Sequence, residues 1–133
     1  MPTPTVHRTT AWVGTPKRLL ARIENLIGTN VTIASLASIS VSTKSLVDAT
    51  TSGPTAKTVA TTIYDTLQPW PTGDGEEAAP DSTGWNSAIV IAASILATVG
   101  DTVRVVVTYT PAVGQADPDP IKDVWDIEVL RAI

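Results

Sequence analysis

Gly100-Asp101-Thr102-Val103-Arg104-Val105-Val106-Val107-Thr108-Tyr109-Thr110-Pro111 is the stretch on which the reading of the fold turns. Gly100-Asp101 has the chemistry of a turn. Val103, Val105, Val107 and Tyr109 then fall on one side of an extended chain, with Arg104 and Thr108 on the other. A strand puts alternate side chains on opposite faces, so this pattern predicts a strand with one face in a core.

Working outward, the same period recurs. Arg18 to Asn25 sets Leu19, Ala21 and Ile23 against Arg22 and Glu24, and Gly28-Thr29-Asn30 follows as a turn. Ala37, Ile39 and Val41 alternate with Ser38, Ser40 and Ser42. Ala56 to about Tyr64 is expected as a further strand with less distinct faces, after a connection from Ser45 to Pro54. Trp85, Ser87, Ile89 and Ile91 begin the second half as a strand, and Ala93 to Val99 is expected to hold a helical turn. The last strand points Trp125, Ile127 and Val129 inward and Asp126 and Glu128 outward. Six or seven short strands with almost no helical period predict an all-β fold, an Ig-like antiparallel β-sandwich. Trp85 and Trp125, among Ile and Val, are expected in the core.

Composition agrees. The 133 residues fit one domain. Phenylalanine is absent, and Val, Ile and Thr, which favour a pleated sheet surface, are abundant. Residues 1–16 are rich in Thr and Pro without a period, so they read as an extended N-terminal arm ahead of a sandwich domain at 17–133. Arg8, Lys17, Arg18 and Arg22 lie in the first 22 residues, which hold no acid; all thirteen acids come later. One reading is an arm that docks on an acidic neighbour, including the next copy; the other is a solvated tail. Trp12 in the arm and Trp70 in the long loop from Gln68 to Gly84 are candidate subunit contacts, because Trp concentrates interface energy. The alternative for both is a local lid on the sandwich edge.

The residue inventory excludes most catalysis. With no cysteine there is no thiolate nucleophile or thiolate metal site. The single histidine, His7, falls in the arm and not on a rigid element, which counts against a Ser–His–Asp triad. Phosphate-binding and nucleophile-elbow motifs are missing. Asp74, Glu76, Glu77 and Asp81 in the long loop, and Asp117 and Asp119 in a second one, offer oxygen ligands for calcium, but without the spacing of an EF-hand. The expectation is therefore no catalytic residue and no cofactor, with calcium as an open alternative. An acidic body disfavours nucleic acid, no run is long enough to span a bilayer as a helix, and the opening residues lack the layout of a signal peptide.

A family likeness rests on Thr62-Ile63-Tyr64-Asp65-Thr66-Leu67, Asp81-Ser82-Thr83-Gly84-Trp85-Asn86 and Gly100 to Pro111, together with Leu20-Ala21-Arg22-Ile23. This resembles small Ig-like sandwich proteins of the structural gene clusters of tailed phages and prophages, with Trp85 where that pattern has Tyr. The resemblance implies a virion structural protein, made in the host cytoplasm and present in many copies. Its partners would be the major capsid protein or tail and neck proteins. A capsid decoration or cementing subunit held by its arm is the first reading. A tail, neck or baseplate adaptor is the second. Apart from the resemblance, Trp70 and the acidic loop leave a carbohydrate-binding or adhesin module as a third reading.

Overall fold

The structure, a computed structural model, describes residues 6–71 and 84–131. Those residues form an all-β sandwich. Eight strands lie among them: β1 (Val6–Trp12), β2 (Lys17–Ala21), β3 (Leu36–Ser45), β4 (Thr51–Lys57), β5 (Ile63–Gln68), β6 (Trp85–Ile91), β7 (Thr102–Pro111) and β8 (Ile121–Leu130). A single helical turn, α1 (Val59–Thr62), precedes β5, and a 3-10 turn spans Ala93–Ile95, where the sequence predicts a helical turn. No described helix is long and apolar enough to cross a membrane.

One sheet has the order β1-β8-β7-β3-β4 and the other β2-β6-β5. This is the order of a variable-type Ig sandwich, with β1 in the place of a first strand that joins the last. The inward sides are those the alternation predicts. Val103, Val105, Val107, Tyr109, Ile127 and Val129 of the larger sheet face Leu19, Ala21, Ile63, Ile89 and Ile91 of the smaller one, all buried. Trp85 and Trp125 are buried as expected. Leu96, fully enclosed, is part of the same core.

Four local readings change. First, the extended arm expected ahead of the sandwich is in part a strand of it. Residues 6–12 of it form β1, which pairs in register with β8, Val6 with Val124 through Trp12 with Leu130. The pairing is parallel, so the sandwich is not antiparallel throughout. The chain reaches β2 in the other sheet through a turn in which Gly14 takes φ +73 and Thr15 donates to the Trp12 carbonyl from both N–H and Oγ1. A strand that crosses between sheets cannot fold back on its successor as a hairpin, and β1 instead runs alongside β8. Thr9 and Ala11 face the core.

Second, the expected connection at Ser45–Pro54 holds the start of β4, an edge strand. Its residues are exposed up to Ala56, so no face is buried and no period is written into them. Gly53 takes φ +93, and a Cβ there would run into the Val41 carbonyl oxygen. The β3·β4 register breaks at this point. Third, the expected strand from Ala56 to Tyr64 is the end of β4, the turn α1 and the start of β5. The turn carries the chain from the larger sheet to the smaller. Fourth, Ala37 is exposed and Leu36 takes the inward place, because a bulge between Leu36 and Ser38 shifts the register against β7.

Candidate binding surface along the first strand

β1 presents two different faces. Val6, Arg8, Thr10 and Trp12 point away from the core, whereas His7, Thr9 and Ala11 point toward it. Trp12 is half exposed, an unusual position for so large an apolar side chain. It ends the strand beside Thr15, Pro16, Lys17 and Leu130, which with it line a shallow groove of about 240 Å³. The fold thus brings together Trp12 and Lys17, two of the residues singled out in the sequence.

Arg8 stands on the same outer face, two places from Thr10 and four from Trp12. Its register partner is Asp126, whose own neighbour on the other side is Arg104. Arg104 holds that carboxylate in a two-pronged pair at 2.9 Å for each contact. These bonds and the charges of Arg104 and Arg8 keep the Asp126 carboxyl below the usual carboxylate range, against the opposing effect of burial. Asp126, read as an outward strand position, is outward but only 6% exposed, because the flanking side chains cover it.

The remaining candidates lie elsewhere. The Arg18 guanidinium is over the Trp85 ring, 5.8 Å from its centroid. Arg22 pairs with Glu24 at 2.8 Å. The basic leading segment is therefore spread over both sheets and does not form one patch. Trp70 is half-buried beyond β5, at the end of the sandwich opposite Lys17. Asp74, Glu76, Glu77 and Asp81 of the long loop lie outside the described residues. In the second acidic loop the Asp117 carboxylate accepts from the N–H groups of Leu26 and Asp119, so it ties two loops together. No cluster of three or more metal-ligating side chains occurs among the described residues.

A polar cluster that none of the sequence candidates includes lies on the inner face of β1. His7 Nε2 is 2.8 Å from Asp123 Oδ1, and its ring lies 4.4 Å from that of Trp125. Trp125 Nε1 donates to the other Asp123 oxygen at 2.8 Å. The Asp123 hydrogen bond, and then its charge, raise the histidine pKa above its ordinary value, while partial burial works the other way. Below that cluster, burial pushes the Tyr109 hydroxyl far up, and it shares a 2.7 Å hydrogen bond with Ser87. The signal was available: Asp123 sits two residues before Trp125 and so shares its inward parity. In the sequence His7 falls within the extended arm, and in the structure β1 anchors it.

Several described residues behind the family likeness have structural tasks. Gly84 takes φ +112, and a Cβ would run into the Gln68 carbonyl oxygen. Trp85 donates to the Pro69 carbonyl and meets Tyr64 edge-on at 5.0 Å. Asn86, 1% exposed, accepts from Ile23 N–H and donates to the Ile23 and Val31 carbonyls. Asp65 accepts from Ile33 N–H, and Asp101 from the Ser45 hydroxyl. No family model, no curated protein and no solved structure matches the chain. Gly84, Trp85, Asn86, Asp65 and Asp101 are thus accounted for by turns, clasps and core packing, and Asp81, Ser82 and Thr83 of the motif lie outside the described residues.

Proposed function

We propose that the protein is a non-enzymatic structural subunit of a tailed-phage virion, of the capsid decoration or cementing type. The single observation that carries the binding part of this reading is Trp12: a large aromatic side chain half in solvent, at the end of an edge strand and beside Lys17. Aromatic and cationic side chains are enriched where protein interfaces concentrate energy. The virion part rests on the sequence resemblance. The contact region is the outer face of β1 with Arg8, Trp12 and Lys17, presented on a strand of the sheet and not on a free arm.

The test is occupancy on particles. Particles from the producing cell are banded on a density gradient, and the protein in the band is quantified by mass spectrometry. The protein should co-band with capsid protein, and Trp12→Ala should reduce occupancy several-fold while the purified variant keeps its melting temperature. Hundreds of copies per particle fit a head location, and six or twelve point to a neck or tail ring. Recovery of all the protein in soluble fractions would sink the proposal.

A further inference from the structure

β1 has one neighbour, β8, and no other described strand pairs with its outer edge. The direction of its backbone groups can be read from the register. Val13 N–H donates to the Leu130 carbonyl at 2.8 Å, continuing the parallel ladder. Hydrogen-bonding direction alternates along a strand, so His7, Thr9 and Ala11 turn their main-chain groups toward β8. Val6, Arg8 and Thr10 turn theirs outward, as does Trp12, whose carbonyl is already taken by the N–H and Oγ1 of Thr15. An edge of this kind is a template for another strand unless something blocks it.

The other edge of the same sheet is blocked. β4 carries Pro54, which has no N–H, beside Gly53 and a break in register. β1 contains neither Pro nor Gly.

We infer that the outer edge of β1 is a self-association surface, on which a second copy pairs antiparallel through its own β1, centred on Thr9 against Thr9. Three features select this occupant and this register. Outward-facing residues must stand opposite outward-facing residues, which allows only registers in steps of two. Among these, centring on Thr9 alone sets all seven residues opposite one another: Val6 opposite Trp12, His7 opposite Ala11, Arg8 opposite Thr10, with full main-chain exchange at Arg8 and Thr10 and, at the ends, the Trp12 N–H left to donate to the Val6 carbonyl. It also covers the two exposed apolar side chains of the strand, Val6 at 36% and Trp12 at 50%, with each other. Centring on Arg8 would oppose two guanidinium groups, and centring on Thr10 would leave Val6 opposite Gly14, beyond the strand. The arrangement is two-fold symmetric and closes at a dimer, joining two five-stranded sheets into one. One strand edge buries less than the ~1,200 Å² of a standard stable interface, so the dimer is weak, with dissociation at micromolar concentration or above. This inference is independent of the virion reading; it concerns copies of this chain in any setting.

The chain has no cysteine, so introduced ones report register without interference. Arg8→Cys and Thr10→Cys proteins are mixed in equal amounts and mildly oxidised, and the disulfide products are resolved by mass. Opposed residues in a hydrogen-bonded pair are ~5.5 Å apart at Cα, within disulfide reach. The mixed product should far exceed the half share that random pairing gives. Random proportions, or an excess of either homodimer, would overturn the register. In parallel, wild-type protein should show concentration-dependent sedimentation. Thr10→Pro, which removes an outward N–H and none that faces β8, should stay monomeric with an unchanged circular dichroism spectrum. A wild-type chain still monomeric at about 1 mM would overturn the surface itself.

Discussion

Asn86→Ala should be among the most damaging single changes available in this sandwich, although no apolar group is involved. The side chain is 1% exposed and clasps the chain beyond β2: Oδ1 accepts from Ile23 N–H at 2.7 Å, and Nδ2 donates to the Ile23 and Val31 carbonyls at 3.1 and 3.3 Å. The Ile23 carbonyl keeps a second donor, Val31 N–H. Truncation therefore orphans the buried Ile23 N–H, costs the Val31 carbonyl a donor and leaves a small void. A buried donor left unpaired costs roughly 1–3 kcal/mol. With the lost carbonyl bond and the void, the total is about 3 kcal/mol. Unfolding entropy near ~2.1 cal/mol/K per residue over 133 residues converts this to a fall in Tm of roughly 10 °C.

Asn86→Asp sharpens the argument. It keeps the acceptor for Ile23 N–H but turns a second acceptor on two carbonyls. At pH 7 it should be at least as destabilising as Ala. A carboxyl of this kind has a raised folded-state pKa, so its penalty grows as pH rises above the unfolded value of ~3.9 and is relieved at lower pH, where the protonated form can donate. Urea titrations of the wild type, Asn86→Ala and Asn86→Asp at pH 4 and pH 7 measure all of this. An alanine variant within ~1 kcal/mol of wild type, or an aspartate variant with wild-type stability at pH 7, would refute the clasp.

Two further outcomes follow from the same geometry. Gly84→Ala should cost ~2 kcal/mol or more, since it combines φ +112 with a clash against the Gln68 carbonyl; a thermal melt unchanged from wild type would count against that conformation. The His7–Asp123 pair raises the histidine pKa in the folded state, so its stabilisation is fully present below the unfolded value of ~6.5 and is lost as pH rises through the folded one. With the histidine side chain 40% exposed, the effect is below ~1 kcal/mol. Subtracting a His7→Gln variant from wild type in urea midpoints between pH 6 and 9 should isolate this slope, and identical slopes in the two proteins would disprove the linkage.

The anchoring of β1 also changes what a truncation does. If residues 1–16 were a free arm, their deletion would leave a folded body. They include a strand that places Thr9 and Ala11 against the core and covers the edge of β8. Deletion therefore opens a sheet edge next to Trp125 and Ile127, and the truncated chain is a poor probe of binding alone. Point changes on the outer face of β1 separate binding from folding.

The sequence by itself determined the class of fold and most of the core. Where one strand face is buried and the other wet, burial writes a period of two into the residues, and Leu19, Ile39, Val41, Ile89, Val105 and Ile127 could be placed from that period. It also determined the buried tryptophans, each in step with β-branched neighbours. Only the tertiary structure decided the edges. β4 buries neither face, so nothing in Thr-Ser-Gly-Pro-Thr-Ala-Lys marks it as a strand, and β1 pairs with a segment more than a hundred residues away, a contact no local pattern encodes. The same distance hid the His7–Asp123 pair and scattered the basic leader, because which cation meets which acid is set by strand order. The half-exposed Trp12 was visible in the sequence as a candidate. That it stands on a sheet edge without Pro or Gly, on the same outer face as Val6, came only from the fold.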